Sequence, residues 1–345
     1  SKNAEELKRL FKSAYLEHNN LTDATRFLAH ELFKDHGLII LDGHNATLKK
    51  AFIPHIKKEL FEKASHSTSL KTSEKLNELG SGLQVNPREI NLFYLHNGLR
   101  ERIIEQEEGF AVHDTSIKWN KEEMQQEIQN YPERFSPNVM LRPLYQEVIL
   151  PNLCYIGGGG ELAYWFQLKD MFEVFEVPFP VLLLRNSALI ETHKQNEKRK
   201  KLDISQAELF LKQHELINRK VRKISNIDID FSPQKELLVK QFEEMYQLAE
   251  QTDASFLGAV KAQEVKQLKG LDNLEHRLLK AQKRKLKDEV SRIADLQNEL
   301  FPMKSLQERQ TNFSEMYLEY GNALIPRLLA DLDPLELKFK IISIG

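Results

Sequence analysis

The chain has 345 residues, long enough to bury a sizeable core and to hold two domains. Its 49 Lys and Arg stand against 51 Asp and Glu, a formal charge of -2, so no global field draws it to nucleic acid or to an anionic membrane surface. The single cysteine, Cys154, excludes an intrachain disulfide and a cysteine metal cage, no apolar run nears the roughly 20 residues of a spanning helix, and the charged opening SKNAEELKRLF lacks a signal-peptide core; the expectation is a cytoplasmic protein.

The chain opens at Ser1, without an initiator methionine and inside a helical pattern, which reads as a piece of a longer chain. Residues 21–35 place Leu21, Ala24, Phe27, Leu28 and Leu32 at helical spacing, Gly37 stops that helix, and residues 38–41 read as a strand closed by Asp42. Residues 46–63 read as a helix despite Pro54, so the two form a βα unit and predict a parallel sheet. Residues 90–96, 99–106 and 110–119 are strand-like, and Asn97-Gly98 is a strong hairpin signal; together they predict a small antiparallel meander near 88–120, inserted in the core.

Residues 136–187 are the most informative stretch. Residues 153–156 are a short apolar run, Gly157, Gly158, Gly159 and Gly160 form a glycine turn, and residues 161–175 carry helical periodicity. Strand, glycine loop and helix in that order place a ligand outside the carboxyl end of the strand, where backbone can approach closely and a helix N-terminus favours anions. Residues 181–184 read as a buried parallel strand, with Arg185, Asn186 and Ser187 at its carboxyl end. Leu162, Trp165, Phe166, Leu168, Phe172 and Phe175 read as the core face of the helix after the loop.

From 191 to 301 the composition shifts to Lys, Glu, Gln and Leu, and the pattern is a helical arm. Leu238, Phe242 and Met245, then Leu286, Val290, Ile293 and Leu300, follow the steps of an a/d seam. Ser232 with Pro233, and Asp253, start two of its helices. Pro302 stops the last one; residues 306–320 are helical and 337–344 alternate as a strand, so residues 302–345 are expected back on the core that residues 1–190 begin.

Each chemical signal has a structural counterpart. The glycine loop is neither a Walker A motif nor the spaced dinucleotide fingerprint, and it serves either ligand contact or close helix–strand packing. Arg142, before Pro143 and one turn from Gln146, is either an anion clamp or a salt bridge to Glu147 or Glu161. Glu161 is either a base or a favourable charge in the first helical turn. Cys154 inside its strand reads as a small buried hydrophobe. His30 and His36 are six apart, on different helix faces, so no metal site is predicted. The basic runs 198–201 and 284–287 read as solvated arm faces rather than a nucleic-acid surface.

The segments SPNVMLRPLYQEVILPN, YIGGGGELAYWFQLKDMF, PVLLLRNS and LQERQTNFSEMYLEYG resemble the bacillithiol biosynthesis cysteine-adding enzymes, a family of cysteine ligases. Weaker resemblance runs from GLIILD to the C-terminal strand, with Gly159 where the family usually has Pro. The family's N-terminal segment, with its Gly-Gln-Gln and Gly-Pro-Leu-Tyr motifs, is not in this sequence, so the resemblance is to the C-terminal portion of the enzyme. It implies a nucleotidyltransferase-like Rossmann core, α/β in class, with connecting insertions and a coiled-coil arm that makes a homodimer. It implies addition of cysteine to the amine of glucosaminyl-malate by an amide bond, after activation of the cysteine carboxylate by ATP with magnesium. On that reading Arg142, Arg185 and the amides of Gly157, Gly158, Gly159 and Gly160 contact anions. Asn138, Gln146, Asn186 and Ser187 orient substrate, Glu161 is a candidate base, and Gln307, Glu308 and Arg309 form a nucleotide-related site beside the arm or else a cap on the returning helix. The alternative is a non-catalytic, dimerising coiled-coil scaffold on a Rossmann-like body.

Overall fold

The computed structural model describes residues 2–344. The chain falls into two compact units, Ser1–Asn186 with Met316–Lys338, and Ser187–Glu315 with Phe339–Gly345. The division therefore lies between Asn186 and Ser187 rather than at 190, and of the residues expected back on the core only Met316–Lys338 belongs to the first unit.

The first unit is built on an antiparallel sheet of five strands: β1 (Leu92–His96), β2 (Leu99–Gln106), β3 (Gly109–Val112), β4 (Lys118–Trp119) and β5 (Phe135–Pro137), in the order β4-β3-β2-β1-β5. Asn97 and Gly98, with φ of 46° and 81°, form the two-residue turn whose twist suits the β1–β2 hairpin. Residues 110–119, read as one strand, are two, because the chain turns between Val112 and Lys118. A separate parallel pair, β6 (Cys154–Gly157) and β7 (Val181–Leu184), runs in register from Cys154 opposite Val181 to Gly157 opposite Leu184. Helices Ile53–Glu62, Lys121–Asn130, Arg142–Ile149, Gly159–Phe166 and Lys169–Val174 supply Phe52, Ile56, Leu60, Met124, Ile128, Leu144, Trp165 and Phe172 with their flanks to one core, all of them fully buried. Each such side chain contributes on the order of 2 kcal/mol of transfer free energy.

Several expectations are corrected here. Residues 38–41 form no strand; Leu38, Ile39 and Leu41 are exposed, since a short apolar run with no adjacent strand has no ladder to join. The helix over 46–63 breaks at Phe52, where Pro54 starts a second segment. The helix over 161–175 breaks at Gln167, whose buried amide donates to Ser73 Oγ and Val85 O and accepts from the main-chain N–H of Gln84 and Val85. Phe166 faces outward at 51% exposure. β7 is parallel as expected but not buried, with Val181 and Leu184 exposed, and Cys154 is half-buried, because a pair of strands leaves a sheet face uncovered.

In the second unit β8 (Ser187–Thr192) pairs in parallel with β9 (Phe339–Ile344). Thr192 and Gln195 form a capping box that starts helix His193–Lys201, and Asp253 accepts from the N–H of Ser255 and Phe256 to start the 32-residue helix Ala254–Lys285. That helix folds back on Ser232–Ala249, with Phe242, Ala249 and Val260 buried between them and Leu238 beside. The expected seam thus closes within one chain, while Met245 stays exposed. Ile293 and Leu300 of helix Lys287–Leu300 pack with Leu189, Leu209 and Leu216. The helix over 306–320 divides into Gln307–Gln310 and Phe313–Tyr320.

Candidate functional site around the glycine loop

The loop joins β6 to helix Gly159–Phe166, and its glycines have separate reasons. None has a positive φ, so the turn itself does not demand glycine. Gly157 is required by packing: an added Cβ would lie 2.7 Å from the Tyr155 ring and 3.2 Å from Glu161 Cβ. Gly159 and Gly160 are exposed with nothing within 4 Å of an added Cβ, and they are the first two residues of the helix, where main-chain N–H groups have no intrahelical acceptor. Close packing therefore accounts for Gly157, while Gly159 and Gly160 keep open backbone at a helix N-terminus, the geometry that receives an anion.

Two arginines border this loop. Arg185, just past β7, donates its main-chain N–H to Gly157 O at 2.9 Å, and among the described residues its guanidinium makes no ion pair. Arg142 opens helix Arg142–Ile149, and its guanidinium reaches Gln146 Oε1 at 3.1 Å, not Glu147 or Glu161. Both carboxylates are engaged elsewhere. Glu147, buried, accepts from Asn152 N at 2.9 Å and from the side chains of Asn152 and Gln146. Glu161 Oε2 accepts the N–H of Gly158 at 2.6 Å, a helix cap rather than a free base.

Sequence reasoning passed over Tyr164. It is 9% exposed, its hydroxyl has no partner among the described residues, and burial pushes its pKa up while the Arg142 charge opposes that rise. Arg142 is thus within electrostatic reach of the helix that follows the loop. A tyrosine in an otherwise apolar helix gives no sequence signal of that kind. Lys49 was also missed: it is 3% exposed, donates to Phe135 O at 2.8 Å and lies over the Tyr145 ring, and desolvation lowers its pKa to about 8. Tyr145 donates to Gly43 O, and its own pKa is pushed up to about 12 by burial.

Most of the remaining predicted residues are hydrogen-bonded within the fold. Asn138 donates to Asn91 Oδ1 and accepts from Met140 N, and Asn91 in turn binds Ser65 and the buried Glu59. Asn186 donates to Asp333 O. In the second unit, Ser187 donates to Glu308, which also accepts from Ala188 N, and the Gln307 amide bonds both N–H and C=O of Ile190. Gln307 and Glu308 therefore tie the returning helix to β8, the capping alternative, and Arg309 is exposed. Among the described residues no group of three or more His, Cys, Asp or Glu is placed to hold a metal ion, and no helix is long and apolar enough to cross a membrane.

Comparison with known proteins bears on both units. The family model described as "Bacillithiol biosynthesis BshC, N-terminal Rossmann-like domain" matches residues 1–186, and that described as "Bacillithiol biosynthesis BshC, C-terminal coiled-coil domain" matches residues 188–344. These agree with the Rossmann-like body and coiled-coil arm expected from sequence. Proteins named "Putative cysteine ligase BshC" are similar to the chain. That of Christiangramia forsetii is 67% identical over 343 residues, 99% of this chain and 64% of the relative. That of Flavobacterium johnsoniae is 57% identical over 344 residues, 100% of this chain and 65% of the relative. That of Lysinibacillus sphaericus is 27% identical over 319 residues, 91% and 59% of the two chains. The chain thus spans less than two thirds of the length of these relatives.

Proposed function

The chain belongs to the BshC family of bacillithiol biosynthesis, and from that membership we propose that it carries part of a cysteine ligase, which joins cysteine to the amine of glucosaminyl-malate through an amide bond. A carboxylate is a poor electrophile and must first be activated. Under this reading an oxygen of the cysteine carboxylate attacks a phosphorus of ATP, with magnesium on its phosphates, and expels pyrophosphate or ADP. The sugar amine then attacks the acyl carbon, loses a proton and releases AMP or phosphate.

The observation that supports this reading is the open N–H groups at Gly159 and Gly160 next to Arg185, whose main chain is bonded to Gly157 O and whose guanidinium makes no ion pair among the described residues. Preorganised donors of this kind stabilise charge that develops on acyl or phosphate oxygens. Arg142, steadied by Gln146, supplies a second cation. Glu161 takes no part as base, since its carboxylate caps the helix. The test is nucleotide turnover: release of AMP or ADP should require both cysteine and glucosaminyl-malate or cysteine alone, and should fall in Arg185→Ala. Turnover independent of cysteine would reject the assignment.

We also propose that a second copy of the chain covers the arm. Leu237, Leu248, Phe256, Leu257, Val265 and Leu274 are exposed on its two longest helices, and Leu237 and Leu274 flank a groove. Apolar residues left outside an intrachain seam are those a partner helix would bury.

A further inference from the structure

A cleft of about 450 Å³ opens beside the five-stranded sheet of the first unit, lined by Arg88, Arg100, Arg102, Phe93, Asn138 and Val139 among others. Its volume is that of a small-molecule site. Alternation along the strands decides what reaches it. Leu92 and Tyr94 of β1 and Ile103 of β2 turn into the core, so Phe93 and Leu95, with Arg102 and Arg100 opposite them in register, stand on the other face. Glu101, between the two arginines, pairs with Tyr94 and shares the core side.

The cleft therefore collects cations without their counter-charges. Arg88, Arg100 and Arg102 line it and no Asp or Glu does, in a chain where acids slightly outnumber bases. Among the described residues none of the three guanidiniums makes an ion pair, and Glu89, the acid next to Arg88 in the chain, lies 3.9 Å from Lys63 instead. Arg102 is half-buried, and Arg100 lays its guanidinium over the Phe93 ring at 3.9 Å from the centroid, a contact that orients the fork. Residues two apart on one strand have Cα atoms about 7 Å apart, so the charges of Arg100 and Arg102 repel at a cost that a bound anion removes. Val139, 53% exposed, adds an apolar wall. Asn138 is already bonded to Asn91 and Met140.

We propose that this cleft binds a small organic dianion, whose acidic oxygens take the guanidinium forks of Arg100 and Arg102, with Arg88 as a third cation and Phe93 and Val139 against its carbon chain. Such forks match carboxylate and phosphate alike. The cleft shares no residue with the glycine loop, and the ligase reading is not needed for it. Titration calorimetry on the whole chain at low salt takes three probes: succinate and glycerol 3-phosphate, dianions of different acid type, and butyrate, a monoanion. At least one dianion should bind saturably, about tenfold tighter than butyrate and about tenfold weaker in Arg100→Gln and in Arg102→Gln, the size of one lost charged contact; the tighter dianion names the acid type. Arg102→Lys, which keeps the charge without the fork, should recover part of the loss, and circular dichroism should match the parent in every variant. Arg185→Ala, beside the glycine loop, and Arg292→Gln, exposed on helix Lys287–Leu300, should leave the affinity unchanged. No saturable binding, butyrate bound as tightly as both dianions, or a dianion affinity that withstands both cleft substitutions or falls in Arg185→Ala, would overturn the proposal.

Discussion

The main-chain N–H of Arg185 donates to the carbonyl of Gly157 at 2.9 Å, which ends β7 against the start of the glycine loop. Residues 28 positions apart in sequence are thereby held side by side, and the arginine leaves the sheet where the open amides of Gly159 and Gly160 begin.

The glycines should separate by substitution. Gly157→Ala drives a methyl into the Tyr155 ring and should destabilise the chain by about 1–3 kcal/mol in urea denaturation. Gly159→Ala and Gly160→Ala meet open space in a helical turn and should leave stability unchanged or raise it by about 0.5 kcal/mol, while reducing the proposed ligase activity because the methyl shields the N–H groups. Equal loss of stability at all three positions would mean that the loop is purely structural.

Lys49 sets a pH dependence. Its pKa falls from 10.5 to about 8 on folding, because burial disfavours the charged amine. Between those values the unfolded chain holds the proton and the folded one does not, so stability should rise with pH across that window and be depressed below it. Lys49→Met should flatten the rise; with the Phe135 carbonyl bond also lost, the net gain near neutral pH should be on the order of 1 kcal/mol. Urea midpoints on either side of the window would show this, and an equally steep rise in the variant would contradict it.

Glu191, fully buried, binds Arg199 through two bonds, Nε to Oε1 at 2.8 Å and Nη2 to Oε2 at 3.3 Å. Glu191→Ala strands a buried guanidinium and should cost about 3–5 kcal/mol. Replacing both residues by apolar side chains of similar size should recover most of that. A mild effect of the single change would place the pair in solvent.

The arm should self-associate. Light scattering across a concentration series should report a dimer, and Leu237→Glu with Leu274→Glu should yield monomer with the helical content unchanged. A monomer at every concentration would remove the second copy.

Much of this architecture is legible in the sequence, for reasons that can be named. Asn97-Gly98 announces its hairpin because the turn needs positive φ at both positions, which Asn and Gly adopt at least cost, and Asp253 and the Lys, Glu and Leu pattern announce the arm because capping and helical period are local. The strand expected at 38–41 fails because its apolar run carries no information on a pairing partner, and the burial of Val181 fails because burial depends on what lies across the sheet. The site divides in the same way. Glycines and arginines stand out by type, but Asn138, Asn186, Gln307 and Glu308 are claimed by main-chain groups far off in sequence. Tyr164 stands out by a partner its hydroxyl lacks among the described residues, which only the fold discloses.

The account rests most directly on product formation. Mass spectrometry of reactions holding glucosaminyl-malate, cysteine and ATP with magnesium would be run with the full-length Christiangramia forsetii relative, the corresponding Arg142→Ala and Arg185→Ala variants, and a no-nucleotide control. The account predicts an amide of the mass of bacillithiol only with nucleotide, and much less of it in both variants. Folded relative that forms no such product under any condition, or variants that form it at the unaltered rate, would contradict it and leave the dimerising scaffold as the reading.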